Sequence, residues 1–275
     1  MTLLAILLGT LVAGIGSVWL AAWLSFGVIS RYTQHMLSLA AGALLATAFL
    51  HLLPEAFESG IEAHTLFMTL LLGLVFFFLL DKAELWHHGH EHNHHHQHGH
   101  HSAGHPHAEE AHANRPHHTH APARGPAGQW AVLAGDSVHC FGDGILIASA
   151  FMADMHLGWL AALAVLAHEV PHHMGDLVVL REGSGNRQAA VLKVSMAGAI
   201  TALGGGVGYV LVDALHDGLP YFLVVASSSF VYVALADLIP QLQKRLTARE
   251  TAAQVMWLAL GMCMVMLVSA FVHSH

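Results

Sequence analysis

The chain has 275 residues, of which 55% are hydrophobic and 10% charged, with 27 histidines and a formal net charge of −8. Several of its apolar runs are long enough to cross a bilayer, so the composition excludes a soluble enzyme. An acidic balance with few basic residues gives nucleic acid nothing to bind.

Eight membrane spans are predicted, near residues 3–25, 36–57, 65–85, 129–153, 158–181, 189–213, 220–243 and 252–272. The expected fold is therefore an all-α polytopic membrane protein. The first run is too long for the apolar part of a signal peptide and lacks a basic start, so it reads as a retained helix. Arg31, Lys82, Arg115, Arg124, Arg181, Arg187, Lys193, Lys244, Arg245 and Arg249 all fall in or beside one set of alternate connections. The positive-inside rule puts that set in the cytoplasm and both termini outside. The opposite connections carry Glu58, Glu62, His64, Asp154, His156, Asp213, His216 and Asp217, an acidic outer face that draws divalent cations. Cys140 and Cys263 both lie inside predicted spans, with no signal for a disulfide between them.

Span two is apolar from Ala40 to Leu50 and is then interrupted by His51, Pro54 and Glu55. Span seven carries a similar order of residues from Asp237 to Gln241, around Pro240. By the charge assignment the two run in opposite directions, the pattern of an inverted repeat whose paired breaks flank a transport site. Between spans three and four lies Trp86 to His120, nearly half of it histidine. Such a segment cannot bury a core, and it is expected to be disordered, cytoplasmic and suited to capturing metal. The domain reading is one transporter unit: helices 1–3 over 1–85, the histidine-rich loop over 86–128, and helices 4–8 over 129–275.

Spans four and five carry the chemistry. His139 and Asp143 are four residues apart in one, and His168 and His172 four apart in the next, so each pair shares a helix face. Ionisable groups at mid-span cost about 2.5 to 3.5 kcal/mol each unless they pair, line a cavity or bind an ion. A short connection makes the two spans antiparallel neighbours, and their polar faces can meet around a first-row divalent ion. Glu169 and Cys140 lie on adjoining faces. Pro171 removes a ladder donor beside the histidines. Asp176 and Asp237 mark an inner exit.

These stretches resemble the ZIP (zinc- and iron-regulated transporter-like) family, in its branch with a histidine-rich inner loop. The similar parts run from Phe49 to Glu55, Asp136 to Gly144, Ala167 to Asp176 and Ala234 to Pro240. The resemblance implies uptake of divalent metal into the cytoplasm across the cell membrane, through a central site for one or two ions. It makes His139, Asp143, His168, Glu169 and His172 ligands, with Asp143 as bridge and His51 as an outer ligand. It implies Zn2+ as the foremost substrate, with Fe2+, Cd2+ and Mn2+ as others, no organic cofactor, and a homodimer in the lipid bilayer. Two positions depart from the family pattern: Cys140 stands where Asn is usual, and His173 where Glu is usual.

The rival from another class is an intramembrane zinc protease, because His168-Glu-Val-Pro-His172 fits the H-E-x-x-H pattern. His139, His51 and the matched breaks are surplus to a hydrolytic site. A cation-diffusion exporter would be expected to carry a soluble tail after its last span. An ATP-driven pump would need a phosphate-binding Gly-Lys-Ser/Thr loop, and a metal-sensing receptor an output domain.

Overall fold

The computed structural model describes residues 1–25, 33–89, 126–238 and 247–273. They form eight long helices: α1 (Thr2–Leu24), α2 (His35–Glu58), α3 (Ala63–Gly89), α4 (Pro126–Ala153), α5 (Met155–Ser184), α6 (Arg187–Ala214), α7 (His216–Ala236) and α8 (Ala248–His273). Each coincides with one of the eight predicted spans. The central part of the histidine-rich segment, Pro240 and Gln241 lie outside the described residues.

Six of the eight are long and apolar enough to cross a membrane: α1, α2, α3, α6, α7 and α8. The two that fall short are α4 and α5, the helices carrying the predicted ligands. Their Asp, Glu and His side chains lower their hydropathy, and the bundle shields those side chains by enclosing both helices. α5 packs against α1, α2, α4, α6 and α8, while α4 packs against α1, α5, α6 and α7. α3 rests mainly on α7 and α8 mainly on α2, so these two are peripheral and mostly uncovered. Large apolar side chains, among them Trp19, Trp23, Phe67, Phe76, Leu192, Leu203, Met256 and Leu267, are exposed on the outside of the bundle. In water such a surface would drive aggregation; in lipid it is solvated. The all-α polytopic membrane fold is thus what the chain adopts.

Three helices contain a widened π-helical turn: Val12–Gly16 in α1, Ala48–Leu52 in α2 and Val233–Leu238 at the end of α7. In α2 the Leu53 amide reaches back five residues to the Ala48 carbonyl, and Pro54 follows directly. The wider turn accommodates a residue that has no N–H and whose ring crowds the preceding turn. The turns in α2 and α7 sit where the two helices pack together. Pro171, by contrast, is absorbed within α5, which remains α-helical throughout.

Close backbone contact fixes the position of α4. A side chain at Gly144 would strike the Thr201 carbonyl oxygen of α6, and one at Gly204 would strike the Phe141 carbonyl oxygen. Only glycine lets the two backbones approach this closely.

Candidate metal centre

Asp154 alone separates α4 from α5. Its backbone is extended (φ −154°, ψ 143°), and its carboxylate accepts hydrogen bonds from the amides of His156 (2.8 Å) and Leu157 (3.2 Å). This N-cap ends one helix and starts the next in a single residue, making an antiparallel hairpin. Positions equidistant from Asp154 therefore face one another. His139 and Glu169 each lie fifteen residues from it, about 22 Å along their helices at 1.5 Å per residue. Asp136 and His172 each lie eighteen away.

The result is a ladder of three overlapping groups. In the first, His139 Nε2, His168 Nε2, Asp143 Oδ2 and Glu169 Oε1 converge. The two imidazole nitrogens are 3.3 Å apart. His168 Nε2 lies 3.2 Å from Asp143 and 3.3 Å from Glu169, while His139 Nε2 lies 3.4 Å from Glu169 and 3.9 Å from Asp143. A tetrahedron of ligands at 2.0–2.1 Å from zinc has edges of about 3.3 Å, so these atoms enclose a space of zinc's size. His168 Nδ1 donates to the Ala164 carbonyl (3.4 Å), which leaves Nε2 of the neutral ring as the free lone pair.

In the second group Glu169 turns its other oxygen, Oε2, to His173 Nε2 at 3.0 Å. His173 Nε2 also lies 3.5 Å from Asp136 Oδ1, and the Cys140 thiol approaches that same oxygen at 3.7 Å. Asp136, Cys140, Glu169 and His173 are all buried, and together they offer O, S, O and N donors. Glu169, with one oxygen in each group, has the geometry of a bridge, rather than Asp143. The third group is Asp136, His172 and Asp176.

Asp136, Asp143, Glu169 and Asp176 are each no more than 9% exposed. Among the described residues their ion-pair partners are all histidines. Asp143 Oδ2, both Glu169 oxygens, Asp136 Oδ2 and Asp176 Oδ2 are buried with no hydrogen-bond donor among the described residues. Buried carboxylates left in this state are costly unless a cation joins them.

Of the sequence-predicted site residues, the structure brings His139, Asp143, His168 and Glu169 together, with Cys140 one turn away. His172 does not join His168; its Nδ1 faces Asp176 and Asp136 instead. His51, half-buried in the widened turn of α2, belongs to none of the three groups, and Glu55 is exposed. Asp136, His173 and Asp176 were absent from the predicted ligand set. The signal for them was their own helical spacing: Asp136 to Cys140, Glu169 to His173 and His172 to Asp176 are each four apart.

The family model for ZIP zinc transporters matches residues 1–269. The chain belongs to the ZIP zinc transporter family. It is 30% identical to the zinc transporter ZIP4 of Homo sapiens over 285 residues, covering 88% of this chain and 43% of that protein. It is 27% identical to the zinc transporter ZIP13 of Pongo abelii over 293 residues, covering 97% of this chain and 78% of ZIP13. A shorter match of 117 residues to the zinc transporter ZIP10 of Danio rerio reaches 37% identity, over 41% of this chain and 13% of ZIP10. The chain thus spans less than half of ZIP4 and most of ZIP13. ZIP proteins are multi-pass membrane transporters of metal rather than enzymes, and the protease reading finds no support in the geometry. A hydrolytic H-E-x-x-H motif needs both histidines on one zinc with the glutamate free as base. In this ZIP protein the two histidines face different groups, and the glutamate stands between donors on both sides.

Proposed function

We propose that this protein carries Zn2+ into the cytoplasm through the polar ladder between α4 and α5, with Fe2+, Cd2+ and Mn2+ as competing substrates. The observation that carries the reading is the set of four buried carboxylates whose ion-pair partners, among the described residues, are imidazoles alone. With neutral imidazoles the set holds up to four negative charges, which two divalent cations would balance. The first and second groups, bridged by Glu169, are the two positions of a binuclear centre: His139, Asp143 and His168 on one side, Cys140, Asp136 and His173 on the other. The tetrahedral spacing of the first group and the names of the relatives favour zinc.

Direction follows from the charges. Lys82, Arg181, Arg187, Lys193 and Arg249 mark the cytoplasmic side, both termini face outward, and the acidic turns that include Glu58, Asp154 and Asp217 gather cations outside. His51 and Glu55 line the approach. The paired widened turns of α2 and α7 support an inverted repeat in which one half rocks against the other. The histidine-rich segment receives the ion at the inner side. Assembly as a homodimer in the cell membrane is what the family resemblance implies.

The test is zinc uptake into proteoliposomes. His139→Ala and His168→Ala should abolish uptake while the variants still insert and purify as the parent does. Uptake at the parental rate in both would remove this centre from the pathway.

A further inference from the structure

We infer that Asp136, His172 and Asp176 form a third metal position, an inner station that receives the ion from the binuclear centre through the shared carboxylate of Asp136. This inference rests on the transport reading above and extends it toward the exit.

Three observations converge. His172 Nδ1 is bracketed by Asp176 Oδ2 at 3.4 Å and Asp136 Oδ1 at 3.7 Å, a nitrogen and two carboxylate oxygens at the separation of ligands around one ion. Neither contact is a formed hydrogen bond: among the described residues, His172 Nδ1 and Asp176 Oδ2 are both buried with no hydrogen-bond partner. A His–Asp pair that served only to stabilise the fold would close that bond. The second observation is Asp136 itself. The same Oδ1 that faces His172 also faces His173 Nε2 and the Cys140 thiol. One carboxylate thus belongs to two groups, and an ion can exchange its other ligands one at a time while keeping this one.

The third observation is access. The His172 side chain is 38% exposed, unlike the enclosed members of the second group. A Cβ added at Gly175, next to Asp176, would meet nothing within 4 Å. Depth agrees with this: Asp176 lies twenty-two residues from Asp154, about 33 Å along α5, toward the end opposite the Asp154 turn. Among the described residues the station is therefore the innermost group of the ladder. Two carboxylates and one imidazole leave coordination positions for water and suit a divalent ion held loosely enough to depart.

The test uses Co2+ alone as the probe on the full chain, because a thiolate bound to cobalt gives a charge-transfer band in the near ultraviolet that imidazole and carboxylate ligands do not. Asp176→Cys places a thiol at the station, and His172→Cys does the same where the first variant does not purify as a monodisperse protein. Val178→Cys puts a thiol on the exposed side of the same helix as the control. A band stronger than in the parent for the station variant, absent from Val178→Cys and removed by excess Zn2+, is the expected result. No added band in the station variants, or equal bands at 176 and 178, would overturn the inner station. That outcome, with uptake still lost in His139→Ala, rejects the station and keeps the transport reading. Unchanged uptake in His139→Ala rejects the reading beneath it.

Discussion

Ser17 of α1 lies 2.9 Å from Nδ1 of His173 through its Oγ, and the same hydroxyl donates its single proton to the Gly14 carbonyl at 2.6 Å. The serine can therefore only accept from the imidazole, so Nδ1 of His173 carries the hydrogen. Nε2 of the neutral ring is then a lone pair aimed at Glu169 and Asp136, an arrangement that is repulsive until a cation enters it. A residue on another helix thereby orients a ligand that the α4–α5 hairpin alone would leave to rotate. Ser17→Ala should weaken zinc about tenfold to a hundredfold, the usual effect of removing such an orienting partner. The check is the concentration dependence of uptake beside the thermal stability of the purified variant. The first should move far more than the second.

Glu169 places one oxygen in each of the first two groups. Glu169→Gln keeps the shape but puts an amide donor where one cation or the other needs an acceptor. Zinc uptake should fall by at least tenfold, and equilibrium binding should lose its tightest phase. Neither parent nor variant should cleave a membrane peptide. Cleavage by the parent that vanishes in the variant would restore the hydrolytic reading.

Cys140 gives the second group its one soft donor. Thiolate favours cadmium and zinc over manganese, which prefers oxygen. Cys140→Ser should reduce the advantage of Cd2+ over Mn2+ in competition uptake by about tenfold, with the parental fold retained. An unaltered order of competition would take the thiol out of the ion's path.

Gly144 meets the Thr201 carbonyl, and Gly204 meets the Phe141 carbonyl, across the contact between α4 and α6. Gly144→Val forces those backbones apart, at a cost of about 1–3 kcal/mol or more. The expected outcome is a marked fall in yield of folded protein and in thermal midpoint, with residual uptake reduced in proportion. Gly142→Ala on the same helix, where an added Cβ meets nothing within 4 Å, should leave stability near the parent's.

Metal ligation by imidazole and carboxylate requires their deprotonated forms, so protons compete with the substrate. Zinc uptake at a fixed free-metal level should decline as the outer medium goes from neutral to acid. The loss should appear as weaker apparent affinity, recoverable by raising zinc.

The eight helices were legible because hydropathy and the alternation of basic connections act over whole segments, and small local errors cancel. The first group was legible for a related reason. His139 and Glu169 sit at matched distance from a one-residue turn, with His168 beside Glu169 and Asp143 one turn from His139, and depth can be counted along a chain. What the sequence does not carry is how many of these side chains one ion-sized space takes in. His172 is four residues from His168 and on nearly the same face, yet it lies one turn deeper, about 6 Å along the axis, and so reaches Asp176 rather than the ion-sized space at His168. His173, where the family pattern has Glu, turns its ring toward Glu169 and Asp136, because α1 approaches closely enough for Ser17 to hold it. That approach depends on packing around Gly14 and Gly198, two residues far apart in the chain.

The single extended residue between α4 and α5 also limits how this molecule can move. With Asp154 bonding the first amides of α5, neither helix can slide along the other without breaking that cap. Any rearrangement that keeps the cap intact must therefore carry α4 and α5 together, with the side-chain groups between them held in register.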